Sequence, residues 1–223
     1  MGERLEVQVL NLGVGGAGPR MFLSDQYLKV LNAAETVVVQ VLSGRSESNS
    51  LFDNSATGDL FGVRVRDGKR MRFEDFLSEL LAAGSPELVK RAVQETRARY
   101  ARHMALLLDA ILSPTVLFWF SSRSADYEED YSSVGGILAA FPQLVNRATL
   151  SEIRTHANAY VECISEAGLP QKLWKAELGV DGTTTEGSWL VNRYYPSPEM
   201  HAEAAALLTP VCARLIPPGR MRD

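Results

Sequence analysis

Thr36-Val37-Val38-Val39-Gln40-Val41-Leu42 is the stretch on which the fold turns. β-Branched residues dominate it and polar ones barely interrupt it, as in a central parallel strand covered on both faces. It empties into Ser43-Gly44-Arg45-Ser46-Glu47-Ser48-Asn49-Ser50, a dense polar loop. Two further runs have the same form. Val7-Gln8-Val9-Leu10-Asn11-Leu12 leads into glycines at Gly13, Gly15, Gly16 and Gly18, and Val116-Leu117-Phe118-Trp119-Phe120 ends in Ser121-Ser122-Arg123-Ser124. All three are expected to be neighbouring parallel strands. Tyr160–Ser165 can add a fourth.

Between these runs the apolar period changes to that of helices. Phe22 to Leu31, Phe73 to Leu81, Pro86 to Leu112, Thr149 to Ala157 and the stretch after His201 through Leu215 read as helical. Strands alternating with helices imply right-handed crossovers and a parallel sheet. The chain reads as one α/β domain over residues 1–223, with loop excursions over 53–70 and 176–191. In such sheets ligands bind beyond the carboxyl ends of the strands. Those ends are where the Gly, Ser, Asn and Arg residues collect.

Composition narrows the partners. The 223 residues are 46% hydrophobic and 22% charged, ordinary for a globular chain. The net charge of −4 argues against nucleic acid or an anionic membrane surface, which need a basic face. No apolar run reaches the roughly 20 residues of a bilayer span. Met1-Gly2-Glu3-Arg4 is not a signal sequence, so the expected compartment is the cytoplasm. Cys163 and Cys212 lie among apolar neighbours without metal or redox spacing, so they read as buried thiols. Neither a metal nor a cofactor is implied, and the oligomeric state is left open.

Three constellations could carry chemistry. Gly13-Val14-Gly15-Gly16-Ala17-Gly18 matches Gly-x-Gly-x-x-Gly, but the acid expected at the end of the second strand is missing and Pro19 follows at once. The glycines either make a tight turn or present backbone N–H groups to a reacting oxygen. In the second loop, Asn49 can donate to a developing oxyanion, and Arg45 can hold a carboxylate or phosphate. Gly44 and Ser46 lie beside them, and Arg123 closes the third strand. The competing reading is that Ser46, Ser48 and Asn49 only make turn hydrogen bonds. Last, Ser197-Pro198-Glu199-Met200-His201 precedes a helix. Of three histidines, His103 and His156 fall inside expected helices and read as satisfied, while His201 has the setting of a general base.

Together these blocks resemble the SGNH/GDSL hydrolase superfamily. Asn11 to Gly16 looks like its second block, with a glycine N–H in the oxyanion hole. Gly44 to Asn49 looks like the third, ending in the oxyanion-hole Asn, and His201 looks like the catalytic His of the fifth. Val41 to Asn49 and Tyr194 to His201 also resemble an uncharacterised bacterial family, some of whose members are labelled sulfotransferase-like or polysaccharide-associated.

The resemblance implies a flavodoxin-like three-layer sandwich. Its first strand is expected to be missing from this chain or lost upstream of Met1. It also implies an acyl hydrolase or acyltransferase acting on a carbohydrate, with His201, Asn49 and Gly15 catalytic and Gly13, Gly44, Arg45, Ser46 and Arg123 binding. A non-catalytic module for an anionic or sugar ligand is the alternative. Two departures stand out. No serine precedes Asn11, so the nucleophile would have to be Ser46, Ser121 or Ser122, or a hydroxyl activated directly. Pro198 stands where the superfamily has an Asp, leaving Asp181 or Glu199 to orient the His. Poor activity on generic short esters follows.

Overall fold

The structure is a computed structural model that describes residues 2–55, 61–178 and 184–216. Three short helices, α1 (Gly2–Leu5), α2 (Pro19–Phe22) and α3 (Asp25–Leu31), precede strand β1 (Val37–Gln40) and a 3-10 turn at Gly44–Ser46. Strands β2 (Phe52–Asp53), β3 (Phe61–Arg64) and β4 (Arg70–Arg72) lead into helices α4 (Phe73–Ala82) and α5 (Pro86–Ala110). Then come β5 (Thr115–Ser121), α6 (Val134–Leu138), α7 (Arg147–Arg154) and β6 (Ala159–Ile164). A hairpin of β7 (Gln171–Leu178) and β8 (Thr184–Asn192) precedes the last helix, α8 (Pro198–Leu215).

The chain is mixed α/β. Its main sheet has the order β1-β5-β6, with both pairings parallel. β5 is buried along its whole length because it lies between two strands and two helical layers. The pleat divides its side chains. Val116, Phe118 and Phe120, with Val161 and Cys163 of β6, pack on Met200, Ala204, Leu208 and Cys212 of α8. Leu117 and Trp119 face the other way, onto Tyr100, Ala101, Met104 and Leu108 of α5 and Leu150 and Ile153 of α7.

Helix α5 joins the parts of the core. Its buried residues Val89, Ala92, Val93, Thr96, Tyr100, Met104, Leu107 and Leu108 recur every three or four positions, one continuous stripe. At 25 residues it is about 38 Å long. Its first turns pack with Phe52 of β2 and Phe73 and Phe76 of α4, its middle lies under the parallel sheet, and Leu107 near its end meets Val37 and Ile111.

Two expectations need correction. Val7–Leu12 is not a strand: residues 8–14 have no regular structure, and Val9 and Leu10 stand 52% and 67% exposed. β-Propensity supplies a preference but not a neighbouring strand to pair with, and the sheet's third strand is β6. Residues 53–70 are no plain loop either. They contribute to an antiparallel sheet in the order β2-β3-β4. Gly62 is needed there because a Cβ would lie 2.6 Å from both Asp53 O and the Phe52 ring. Residues 176–191 likewise belong largely to the β7–β8 hairpin, with 179–183 outside the described residues.

Candidate functional site

The polar loop after β1 is tied down almost residue by residue. Ser43 Oγ accepts from Arg45 N at 3.3 Å, and Ser46 Oγ donates to Ser43 O at 3.2 Å. Gly44 N donates to Gln143 O at 2.9 Å, and a Cβ on Gly44 would press on Leu144 and Gln143 at 3.2 and 3.3 Å. Arg45 pairs with Glu74 of α4. Ser48 Oγ donates to Asp53 Oδ1 and accepts from Asn54 N. Asn49 Oδ1 accepts from Leu51 N and Phe52 N at 2.8 and 2.9 Å, and its Nδ2 donates to Thr96 Oγ1 of α5 at 3.0 Å. Asn49 is buried, with its amide oxygen spent on its own turn and one N–H on α5.

Glu47 differs from its neighbours. Its side chain is 1% exposed, and Nδ1 of His103 on α5 lies 2.8 Å from Glu47 Oε2, where an ionised Glu47 selects the tautomer with the proton on Nδ1. The His103 ring is partly exposed, and its Nε2 has no hydrogen bond among the described residues. Arg20, from α2, places Nε 3.8 Å from the same carboxylate oxygen and donates Nη2 to Asn54 O at 2.5 Å. Glu47 Oε1, Arg20 Nε and Arg45 Nε are buried polar atoms without a hydrogen-bond partner among the described residues. Burial pushes the Glu47 carboxyl above its ordinary range, and His103, Arg20 and Arg99 pull it part of the way back. A buried acid, an oriented imidazole and two guanidinium groups with unmet donors thus lie around the carboxyl end of β1.

The other expected residues lie apart from this pair. His201 is on the first turn of α8, exposed, with its ring centroid 5.4 Å from that of Phe120. Phe120 belongs to the α8 face of the sheet, whereas Asn49 is bonded to α5 on the other face. Among the described residues no carboxylate orients His201. Glu199 instead packs at the turn of Gly168, where a Cβ would fall 2.2 Å from its Oε2. Asp181 lies outside the described residues. Gly13 and Gly15 are exposed, with Gly13 N bonded to Asn11 Oδ1 at 2.9 Å and open space around Gly15.

Arg123 is a structural clamp. It donates to the carbonyls of Ser124, Ala140, Pro142 and Val145 and stacks on the rings of Trp119 and Tyr127. Ser121 Oγ is buried and donates to Phe141 O at 2.6 Å, while Ser122 is exposed. A cleft of about 340 Å³ is lined by Asp126, Tyr127, Asn146 and Arg147, and one of about 360 Å³ by Glu162, Cys163 and Glu203. None of His201, Asn49, Arg45 or Gly15 lines either cleft.

Sequence reading singled out this loop but neither Glu47 nor Arg20, and read His103 as a satisfied helical histidine. One signal was available: Thr96, Tyr100 and His103 recur at helical spacing, so a histidine continues the buried stripe of α5 where the core gives way to polar residues. Among the described residues no cluster of His, Cys, Asp and Glu could hold a metal ion. No helix among the described residues is long and apolar enough to cross a membrane.

Comparison with known proteins gives one match. The family model described as "Domain of unknown function (DUF6473)" covers residues 67–216, a span that includes His103 and His201 but not Arg20 or Glu47. No curated protein and no solved structure matches the chain.

Proposed function

The chain belongs to the DUF6473 family, and from the geometry of its polar loop we propose that it is a hydrolase or transferase with His103, held by Glu47, as general base. The observation that carries the proposal is the 2.8 Å bond from His103 to a carboxylate that is 1% exposed. A buried acid fixes the tautomer and leaves Nε2 as the basic nitrogen facing outward, the relation a general base requires. The position after β1 agrees with the rule that open parallel sheets bind ligands beyond their strand ends.

The substrate class proposed is an acyl group carried by a carbohydrate, and the fold proposed is a flavodoxin-like SGNH sandwich. The parallel sheet covered by helices on both faces supports that fold, and the resemblance of Val41 to Asn49 and Tyr194 to His201 to a family with polysaccharide-associated members supports that substrate. Nε2 of His103 takes a proton from water or an acceptor hydroxyl as its oxygen bonds to the acyl carbon. The acyl–oxygen bond to the sugar then breaks, and the imidazolium returns the proton to the departing alkoxide. Direct activation needs no serine nucleophile.

A second reading, binding of an anionic or sugar ligand without turnover, is favoured by the unmet N–H donors of Arg20 and Arg45. One experiment separates the two. Acetate release from peracetylated glucose is measured for the chain and for His103→Ala, Glu47→Gln and His201→Ala, with circular dichroism as the folding control. The expected result is loss of about 10²–10⁴-fold for His103→Ala with little change for His201→Ala. Release that survives His103→Ala overturns the general-base reading. No release above buffer from a folded chain leaves the binding reading.

A further inference from the structure

Arg20 comes to Glu47 and His103 from a third element. It stands on α2, which packs against α5. One end of its guanidinium is held where Nη2 donates to Asn54 O at 2.5 Å. At the other end Nε lies 3.8 Å from Glu47 Oε2, the same oxygen that His103 Nδ1 approaches to 2.8 Å. One carboxylate oxygen thus meets an imidazole and a guanidinium. The groups around it from the other packed elements are few. Tyr100 and Arg99 of α5 act on Glu47 through space, with burial keeping the Tyr100 hydroxyl protonated. Arg99 lies one helical turn from His103 but is exposed, so water screens its charge. Arg45 is paired with Glu74, and Asp53, which Arg20 also attracts, is bonded to Ser48 and Ser55. Arg20 is therefore the least screened cation beside the carboxylate.

Glu47 and His103 share protons at hydrogen-bond distance, so they titrate as one unit. The pair can hold two protons or one. With two, Nε2 of the ring is protonated in either arrangement. Both ring nitrogens carry hydrogen beside a carboxylate, or a neutral acid donates to Nδ1 and the ring proton sits on Nε2. With one, the proton lies on Nδ1 facing the carboxylate, and Nε2 has a free lone pair. A fixed positive charge next to the carboxylate disfavours the second proton.

We propose that Arg20 is a positioning residue: its charge beside Glu47 drives the second proton off the Glu47–His103 pair and so frees Nε2 of His103 at a lower pH than the pair alone would. The use of that lone pair as a base depends on the hydrolase or transferase reading, but the proton arrangement exists whether or not the chain turns over a substrate. Arg20 touches neither the reacting atoms nor the ring. It acts through the carboxylate, and a guanidinium fastened to Asn54 O holds its place without help from a ligand.

Long-range proton–nitrogen NMR correlation of the whole ¹⁵N-labelled chain reads the ring nitrogens of His103 directly as pH is varied. His103→Gln assigns the signals, and amide spectra check the fold of each variant. Once the second proton is gone, the wild-type ring is expected to carry hydrogen on Nδ1 and none on Nε2. Arg20→Gln keeps an N–H for Asn54 O and removes the charge, and Arg20→Met removes both. Each is expected to raise the pH midpoint at which Nε2 loses its proton by about one unit. Arg20→Lys keeps the charge and is expected to restore the midpoint, while Arg99→Gln moves it less than Arg20→Gln does. A neutral wild-type ring with its proton on Nε2 overturns the proposal. So does a midpoint that Arg20→Gln leaves in place or lowers, or a rise that Arg20→Lys repeats in full. Failure of both neutral variants to fold also overturns it, because Arg20 is then a packing residue. An Arg20-dependent midpoint in a chain that releases no acetate supports this arrangement and removes the hydrolase reading alone.

Discussion

Glu47 and Asn49 sit two positions apart in one loop and have opposite characters. Asn49 has its amide filled by Leu51, Phe52 and Thr96 and is a turn-maker, whereas Glu47 is buried with one oxygen unmet. Burial raises the Glu47 carboxyl above its ordinary 4.5, so the folded chain binds that proton more tightly than the unfolded one. The sign follows from linkage. This contribution to stability is fully present below 4.5 and is lost as pH rises through the raised, folded value. Glu47→Gln keeps the shape and removes the titration. Urea midpoints for both chains are expected to diverge in favour of the variant as pH rises from about 4.5 toward neutrality. Parallel curves would mean that burial does not govern Glu47. Arg123 teaches a related lesson. A guanidinium at a strand end reads as a ligand clamp, yet its donors go to four backbone carbonyls of its own neighbourhood, because buried carbonyls must find donors somewhere.

Helices read best when their stripe and their cap agree. α8 begins at Pro198, with Ser197 as its cap. Ser197 is fully buried, accepts from Met200 N at 3.1 Å, and donates to Ala167 O at 2.5 Å. One hydroxyl therefore ends the helix and fastens it to the turn after β6. That turn contains Gly168, whose positive φ and contact with Glu199 exclude a Cβ. Ser197→Ala removes both bonds and leaves Ala167 O without that donor. A loss of about 1–3 kcal/mol is expected by chemical denaturation, more than a surface cap alone would give. A loss under about 0.5 kcal/mol would show that α8 docks by its apolar face alone. Strands were less legible. Val7–Leu12 has the composition of a strand and no partner, while Arg70–Arg72 is charged, short and paired. Pairing belongs to two segments at once, so the composition of one cannot decide it.

At the scale of the molecule, Cys163 on β6 and Cys212 on α8 belong to one cluster between the sheet and the last helix. Both thiols are buried and free, and burial raises them, so slow reaction is expected in the folded chain. Labelling by a thiol reagent is expected to require opening of the α8 layer, both cysteines reacting together at a rate that rises with denaturant. Fast labelling of one in native buffer would show that α8 lifts off by itself.

Sequence alone determined the α/β class, β1 and β5, the long stripe of α5 and the place of the last helix. Each is a local pattern of apolar spacing that burial on one or two sides enforces. It also marked the loop after β1 as the polar one. Only the tertiary structure decided that β6 and not Val7–Leu12 completes the parallel sheet, and that His201 packs by Phe120 on its α8 face while Asn49 is bonded to α5 on the other. It alone joined Glu47 to His103, which are 56 positions apart in the chain. Hydrophobic periodicity is written along the chain, but which donor meets which acceptor depends on how the elements dock, and no single segment carries that information.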